Sequence, residues 1–315
     1  MAHMCRPALV LLVTCFLAGF VPMVVTAQPS ANLTRIASGF AWAENLWIVG
    51  DSDLFVSDIA TGDISRVLKL DNGTWTKTTW VSGFHSCAGL TAPPFYQRFY
   101  VLALCELNDG TDTVIAFSTE QPQSFDTLLK SPTVKGNLSW NGLAVDPSTG
   151  WIYITDLSGF APNAGNILAV DAHRQDSLTR TFAANLSSAD GCFFDSHRHR
   201  LYVSEVFTAH VHVYDLNGGR PYVAREVGNY IAPGMKALDD MCIVQDGNSD
   251  DDYVIAADYA AGNVVMFKAD GSGAGRVVAS GLTHPTSVRR GVGATDSGFV
   301  YITEGAGNVY QLRMW

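Results

Sequence analysis

Short runs of β-branched and aromatic residues recur along this chain, each bounded by a turn cluster. In six places such a run opens on a small, often glycine, position that tends to follow an acid or an amide. A second hydrophobic run comes next and usually ends in an acid. Trp140-Asn141-Gly142-Leu143-Ala144-Val145-Asp146 leads to Ile152-Tyr153-Ile154-Thr155-Asp156, and Ala189-Asp190-Gly191-Cys192-Phe193-Phe194-Asp195 leads to Leu201-Tyr202-Val203-Ser204-Glu205. Runs of this length and composition predict antiparallel strands, and no stretch carries helical periodicity over three turns. The acid or amide before glycine reads as a turn that opens each copy.

The copies align on the residue before the small position: Glu44, Ala88, Asn141, Asp190, Asp239 and Pro285, spaced 44 to 53 residues apart. A third strand follows in most copies, as in Val114–Phe117, Ile167–Asp171 and Val264–Phe267. Four strands in this span is the size of a propeller blade, so six copies predict a six-bladed β-propeller with four-stranded antiparallel blades. The segment Ala31–Ser38 is expected to supply the outer strand that closes the ring on the last blade. No linker or low-complexity tract divides residues 28–315, which read as one domain.

The first 27 residues stand apart. Arg6 precedes an apolar run from Ala8 to Val25, followed by Val25-Thr26-Ala27, which is the pattern of a cleaved secretory signal. Its removal takes the formal charge from −10 to −11, because Arg6 is the only charged residue lost. The expectation is a secreted, acidic protein that acts on a small molecule, binds no nucleic acid and has no membrane contact after cleavage. Oligomeric state is not legible. In an oxidising compartment Asn32, Asn72, Asn137 and Asn185 are candidate glycosylation sites. Cys87 and Cys105, on neighbouring strands of one repeat, form the candidate disulfide, while Cys192 and Cys242 read as buried thiols.

In a propeller the first strand of each blade lines the central channel, so the six start residues converge at one mouth. Three carboxylates (Glu44, Asp190, Asp239) and the Asn141 amide meet there. No Lys or Arg holds a start position, and like charges so close cannot all ionise without a counter-ion. An all-oxygen set suits a hard divalent cation, Ca²⁺ or Mg²⁺, with Ca²⁺ the expected ion. Turn-forming acids would explain any single copy, although Ala88 and Pro285 show that the position does not require one. The acids that end the second strands (Asp58, Asp156, Glu205, Asp258, Glu304) recur in five of six copies, as a structural role predicts. His197-Arg198-His199-Arg200 reads as a solvated basic tip, and His210 and His212 face one way on a strand away from the mouth. Neither a Gly-x-Ser-x-Gly elbow nor a phosphate-binding loop is present.

The phrases Ala43-Glu44-Asn45-Leu46-Trp47, Trp140-Asn141-Gly142-Leu143, Asp190-Gly191, Leu238-Asp239-Asp240-Met241 and Pro285-Thr286-Ser287-Val288 resemble the senescence marker protein/gluconolactonase/luciferin-regenerating enzyme-like family over nearly the whole mature chain. The resemblance implies a metal-dependent hydrolase of lactones or related esters. It places metal ligands on Glu44, Asp190 and Asp239, a polar substrate-orienting residue on Asn141, and the general base on Asp239. Two positions depart from the pattern. Asp190-Gly191 stands where an Asn-Gly pair is usual, and no sugar-gripping Arg precedes the third-blade amide at Leu138-Ser139-Trp140. The neighbours Trp47, Phe84, Trp140 and Phe193 suggest a less polar substrate than gluconolactone, although some of them must be core. The chain also looks like secreted propellers that catalyse cycloaddition in fungal secondary metabolism without a metal, and a non-catalytic binding propeller is the third alternative.

Overall fold

The computed structural model describes residues 32–92, 99–134, 139–173, 179–217, 221–245 and 252–314. The segment expected to be a cleaved signal and the Asn137 sequon lie outside them. Strand β1 (Leu33–Ala37) precedes the first blade, which is built from β2 (Ala43–Gly50), β3 (Asp53–Asp58), β4 (Ile64–Lys69) and β5 (Trp75–Val81). The second holds β6 (Ser86–Thr91), β7 (Tyr100–Glu106), β8 (Thr111–Ser118) and β9 (Phe125–Val134). The third holds β10 (Trp140–Asp146), β11 (Trp151–Asp156), β12 (Gly165–Asp171) and β13 (Arg180–Leu186). The fourth holds β14 (Ala189–Asp195), β15 (Arg200–Glu205), β16 (His210–Asp215) and β17 (Glu226–Ile231). The fifth holds β18 (Leu238–Gln245), β19 (Asp252–Asp258), β20 (Asn263–Lys268) and β21 (Arg276–Ser280). In the sixth, β22 (Pro285–Arg290), β23 (Phe299–Glu304) and β24 (Asn308–Arg313) are completed by β1.

Each expected blade is therefore present, and the ring closes where the sequence predicted. Leu33 pairs with Leu312 and Arg35 with Tyr310, so the two ends of the propeller share one sheet. The innermost strands β2, β6, β10, β14, β18 and β22 contact one another in a ring around the axis.

The cores lie between blades, which explains the unbroken hydrophobic runs. Side chains alternate along a strand, and both faces of each blade are covered. On β3, Phe55 packs toward the second blade with Val101 and Phe117, while Leu54 and Val56 pack toward the sixth with Tyr301 and Val309. On β11, Tyr153 joins Leu201 and Tyr214 of the fourth blade, while Ile152 and Ile154 join Leu102 and Val114 of the second.

Near the axis the blades come closer than side chains allow. A Cβ on Gly89 would stand 2.5 Å from the Asn141 carbonyl oxygen, and one on Gly191 would stand 2.7 Å from that of Asp239. A Cβ on Gly142 would run into the Asp190 carbonyl oxygen. The recurrent glycine thus serves the approach of the next blade's backbone. Gly142→Ala should cost roughly 1–3 kcal/mol of stability, because the obstructing atoms are backbone. Gly50→Ala, whose Cβ would meet nothing nearer than 3.9 Å, should stay within about 0.5 kcal/mol. Urea unfolding of the two variants checks the contrast.

Candidate functional site at the channel mouth

The start residues sit within the innermost strands, not in turns ahead of them. Ala43 pairs with Asp58 but Leu46 with Val56, so Glu44 and Asn45 occupy a bulge that holds one residue more than its partner strand. The register slips at the same place in the other blades, at Ala88-Gly89, Asn141-Gly142, Asp190-Gly191, Asp239-Asp240 and beside Pro285. A bulge breaks the alternation of side chains, so two successive polar residues can both be buried at the axis.

Hydroxyl side chains lock this arrangement from blade to blade. The residue before the terminal acid of the second strand donates to the carbonyl of the next blade's start residue. Ser57 Oγ reaches Ala88 O at 2.6 Å, Ser204 Oγ reaches Asp239 O at 2.5 Å, and Thr303 Oγ1 reaches Glu44 O at 2.8 Å. Thr155 makes the same bond to Asp190. In the second blade Cys105 takes this position and is joined to Cys87 in a disulfide. Cys192 and Cys242 are buried thiols.

The terminal acids hold the loops that frame the mouth. Asp58 accepts from the backbone N–H of Ala41 and Trp42 on one side and of Ala60 and Thr61 on the other. Asp258 does the same for Lys236, Ala237 and Ala261, Glu205 for Ser187, and Glu304 for Thr283. Their role is structural, as expected, but wider than holding the turn into the third strand. The second blade has such an acid too: β7 runs on to Glu106, three residues past the strand end expected at Ala103.

Glu44, Asn141, Asp190 and Asp239 are all buried at the mouth. Trp42 Nε1 donates to Glu44 Oε2 at 2.9 Å, and the Asn141 amide bonds the same carboxyl. Asp190 Oδ1 is buried without a hydrogen-bond partner among the described residues. Burial pushes the Glu44 carboxyl up to about 7, against the lowering effect of Trp42 and Asn141, and repulsion from Asp240 and Asp58 adds to the rise. Burial, followed by repulsion from Glu44 and Asp240, holds Asp190 well above the usual carboxylate range. Asp239 is raised by burial, then by Asp190, Glu44 and Asp240. An unpartnered carboxylate oxygen among mutually repelling acids is the donor chemistry a hard cation relieves. Among the described residues no three acid, His or Cys side chains are gathered closely enough to hold an ion. The carboxyls would have to draw together to close on one.

The structure also places residues at the axis that sequence reasoning passed over. Asp240, beside the start residue Asp239, accepts from Ser287 Oγ at 2.7 Å and Asn45 Nδ2 at 3.2 Å. Its Oδ2 lies 2.7 Å from Arg289 Nη1, with side-chain exposures of 2% and 6%. The channel therefore contains a counter-ion, four residues past a start position, and it is committed to Asp240. The sequence signal was an acid where three other blades carry glycine. Over the mouth, Trp42, Tyr259 and His284 stack from the first, fifth and sixth blades, with Tyr259 and His284 centroids 4.6 Å apart. Burial, with the nearby charges of Asp239, Glu44 and Asp190, pushes the Tyr259 phenol up. Phe160 and Phe207, on loops of the third and fourth blades, are 5.8 Å apart.

Several expectations change. Phe84 and Trp140 are core residues, and Trp47 and Phe193 line cavities farther along the channel strands, away from the carboxylates. The mouth's aromatic wall is Trp42, Tyr259 and His284 instead. His85 is exposed. The supposed solvated basic tip is tied to both neighbouring blades, Arg198 to Asp252 at 2.9 Å and His199 to Asp146 at 3.3 Å. Asn32, Asn72 and Asn185 are exposed.

The fold and the mouth define a six-bladed β-propeller whose channel opens on a cluster of buried acids. Residues 42–305 match the SMP-30/Gluconolactonase/LRE-like region, and the chain belongs to that family. Its fold is similar to that of a luciferin-regenerating enzyme, at TM-score 0.67 and 14% identity, over 90% of this chain and 95% of that one. A gluconolactonase from Xanthomonas campestris is similar at TM-score 0.65 and 15% identity, over 89% and 88% of the two chains. So is regucalcin, a calcium-binding protein from Agrobacterium tumefaciens, at TM-score 0.62 and 13% identity, over 88% and 92%. No curated protein matches this chain in sequence.

Two outcomes follow from the charges. Arg289→Met leaves Asp240 buried and unpaired and should cost roughly 3–5 kcal/mol. Adding Asp240→Asn should recover most of that loss in urea unfolding. On β16, the third strand of the fourth blade, His212 lies 3.3 Å from Glu205 and 2.7 Å from Glu226, with His210 3.6 Å from Glu205. Burial would raise Glu205, but His212, Thr208 and Ser187 outweigh it and hold the carboxyl down at about 2. Burial would lower His212, but the two carboxylates outweigh it and raise the imidazole above its ordinary 6.5. Glu205 thus stabilises fully above its ordinary 4.5 and loses its contribution as pH falls toward 2. His212 stabilises fully below 6.5 and loses its contribution as pH rises through its folded value. The stability lost in His212→Gln should therefore be larger at about pH 6 than at about pH 9, as read by thermal melting.

Proposed function

We propose that this chain is a lactonase-type hydrolase that opens an apolar or aromatic lactone or ester at the acidic mouth of its channel. A divalent cation, expected to be Ca²⁺, would be held by Glu44, Asp190 and Asp239. The observation that carries the reading is the crowding of three buried carboxyls, one with an oxygen that has no partner among the described residues, where the Arg289 guanidinium is already paired with Asp240. Family membership and the gluconolactonase and regucalcin likenesses support it. When bound, the cation supplies Lewis-acid polarisation of the acyl carbonyl and stabilises the negative charge that develops there.

The chain's own residues supply the rest. Asp239 takes the proton from a water as the water oxygen bonds to the acyl carbon. The acyl C–O bond then breaks, and the same proton passes to the leaving alkoxide, giving a hydroxy acid from a lactone. Asn141, bonded to Glu44, orients the water or the substrate. Trp42, Tyr259 and His284 present a stacked wall that suits an apolar acyl or alkoxy part and excludes water from it. The reading includes secretion after removal of residues 1–27 and a small-molecule substrate.

A second reading has a specific observation behind it. With Glu44 at about 7 and Asp190 and Asp239 well above the usual range, the acids would be neutral hydrogen-bond donors in a metal-independent pocket of the cycloaddition type. The purified protein separates the two. The hydrolase reading expects one tightly held Ca²⁺ per chain by elemental analysis, loss of activity on an aryl-lactone panel with chelator, and recovery with added Ca²⁺. Asp239→Asn should lower kcat by roughly 10²–10⁴-fold while the protein stays folded. Lactonase activity unchanged in Asp239→Asn would sink the assignment of the base, and a metal-free protein inert on every lactone would favour the second reading.

A further inference from the structure

The apolar surface at the mouth extends beyond the stack of Trp42, Tyr259 and His284. Val206 and Ala237 pack with Tyr259, and Trp42 lies against them. Val206 is the first residue after the acid that ends β15, and the next is Phe207, 52% exposed. Phe207 meets Phe160 of the third blade, with 5.8 Å between ring centres. The surface therefore runs from the sixth and first blades through the fifth to the fourth and third. The second blade breaks it, because its connection between β7 and β8 carries the polar Asn108 and Asp109.

Both phenylalanine rings stand on loops anchored to one carboxylate. Glu205 accepts from Thr208 Oγ1 at 2.6 Å, on the turn of Phe207 itself, and from the Ser187 backbone N–H at 2.7 Å. Ser187 Oγ in turn lies 3.3 Å from Asn163 Oδ1, in the loop that follows Phe160. On the other side Asp156 accepts from the Ser158 N–H at 2.9 Å and opens the single helical turn Ser158–Phe160. In that turn Ser158 has a φ of 46° and Phe160 a φ of 64°. This is left-handed backbone, which a bulky side chain seldom adopts unless its surroundings impose it. Strained and multiply tied loops thus keep two aromatic rings at the edge of the water. Rings fixed in this way lose little freedom when a ligand covers them.

We propose that Phe160 and Phe207 are specificity-determining residues of the mouth, which hold the distal apolar part of the substrate while its carbonyl lies over the acids. The inference rests on the reading of the mouth as the substrate site. It narrows the substrate to a lactone or ester with an extended apolar tail, either a long alkyl chain or a ring beyond the part held by Trp42, Tyr259 and His284. The contact removes apolar surface from water, so it selects for length and hydrophobicity. A short lactone reaches the acids and leaves the two rings wet.

γ-Decalactone and γ-valerolactone differ only in the length of the alkyl tail, and they test this with the full-length purified protein. The probes are Phe160→Ala and Phe207→Ala. Val277→Ala is the control, because Val277 is equally exposed at 52% but lies on β21, the outer strand of the fifth blade. Binding is read by titration calorimetry in the Asp239→Asn background, and turnover in the background of wild-type Asp239. γ-Decalactone should bind roughly tenfold more tightly than γ-valerolactone, and each Phe substitution should remove most of that difference while Val277→Ala keeps it. Turnover of γ-decalactone should lose the same factor in kcat/KM, carried by KM. If Phe160→Ala does not fold, Phe207→Ala decides, since its ring is half exposed. The proposal is overturned if γ-decalactone gives no heat at about 1 mM, if it binds no more tightly than γ-valerolactone, or if the Phe variants bind it as Val277→Ala does. Failure of the hydrolase reading has a different signature: both lactones stay intact with wild type, while the calorimetric preference and its loss in the Phe variants persist.

Discussion

Everything at the axis depends on how closely each innermost strand approaches the next. The approach leaves no room for a Cβ at Gly89, Gly142 and Gly191, and it brings the carbonyls of Ala88, Asp190, Asp239 and Glu44 within reach of a hydroxyl on the preceding blade. Buried carbonyls need partners, and Ser57, Thr155, Ser204 and Thr303 provide them. The same bonds fix the height at which each start residue enters the channel. Six bulges at one level place the polar side chains of distant repeats in one small volume.

That convergence sets up an electrostatic problem with two different solutions. Asp240 is satisfied by protein groups, with Arg289, Ser287 and Asn45 around it. Glu44, Asp190 and Asp239 have no such cationic partner, Glu44 being held by Trp42 and Asn141, and their carboxyls are pushed upward by burial and by neighbouring acids. A structural acid is paired by its fold, whereas buried acids kept close without a counter-ion make a candidate site. The aromatic stack of Trp42, Tyr259 and His284 covers these three acids, which joins the charge to an apolar wall.

Much of this was legible in the chain. The six-fold spacing and the two-sided hydrophobic runs specify the propeller, since strands buried on both faces need cover from both neighbours. The start positions were legible because a fixed repeat maps equivalent residues to equivalent places. Asp240 and Arg289 were harder to see, since each occupies a position where most copies carry something else. Glu106 was missed because its strand ran three residues past the expected end, through a cysteine where four other copies carry a hydroxyl. Trp42, Tyr259 and His284 belong to connecting loops, which carry no periodicity of their own.

Sequence alone determined the blade count, the strand pairing that closes the ring and the convergence of Glu44, Asp190 and Asp239, because these follow from short-range patterning repeated at a constant interval. Tertiary structure alone decided which acids are paired and which stay crowded. It also decided which aromatic residues face the mouth and that a guanidinium enters the channel from the sixth blade. Those outcomes depend on distances between side chains of different blades, set by the bulges and by the tightness of packing at the axis, and no local pattern encodes them.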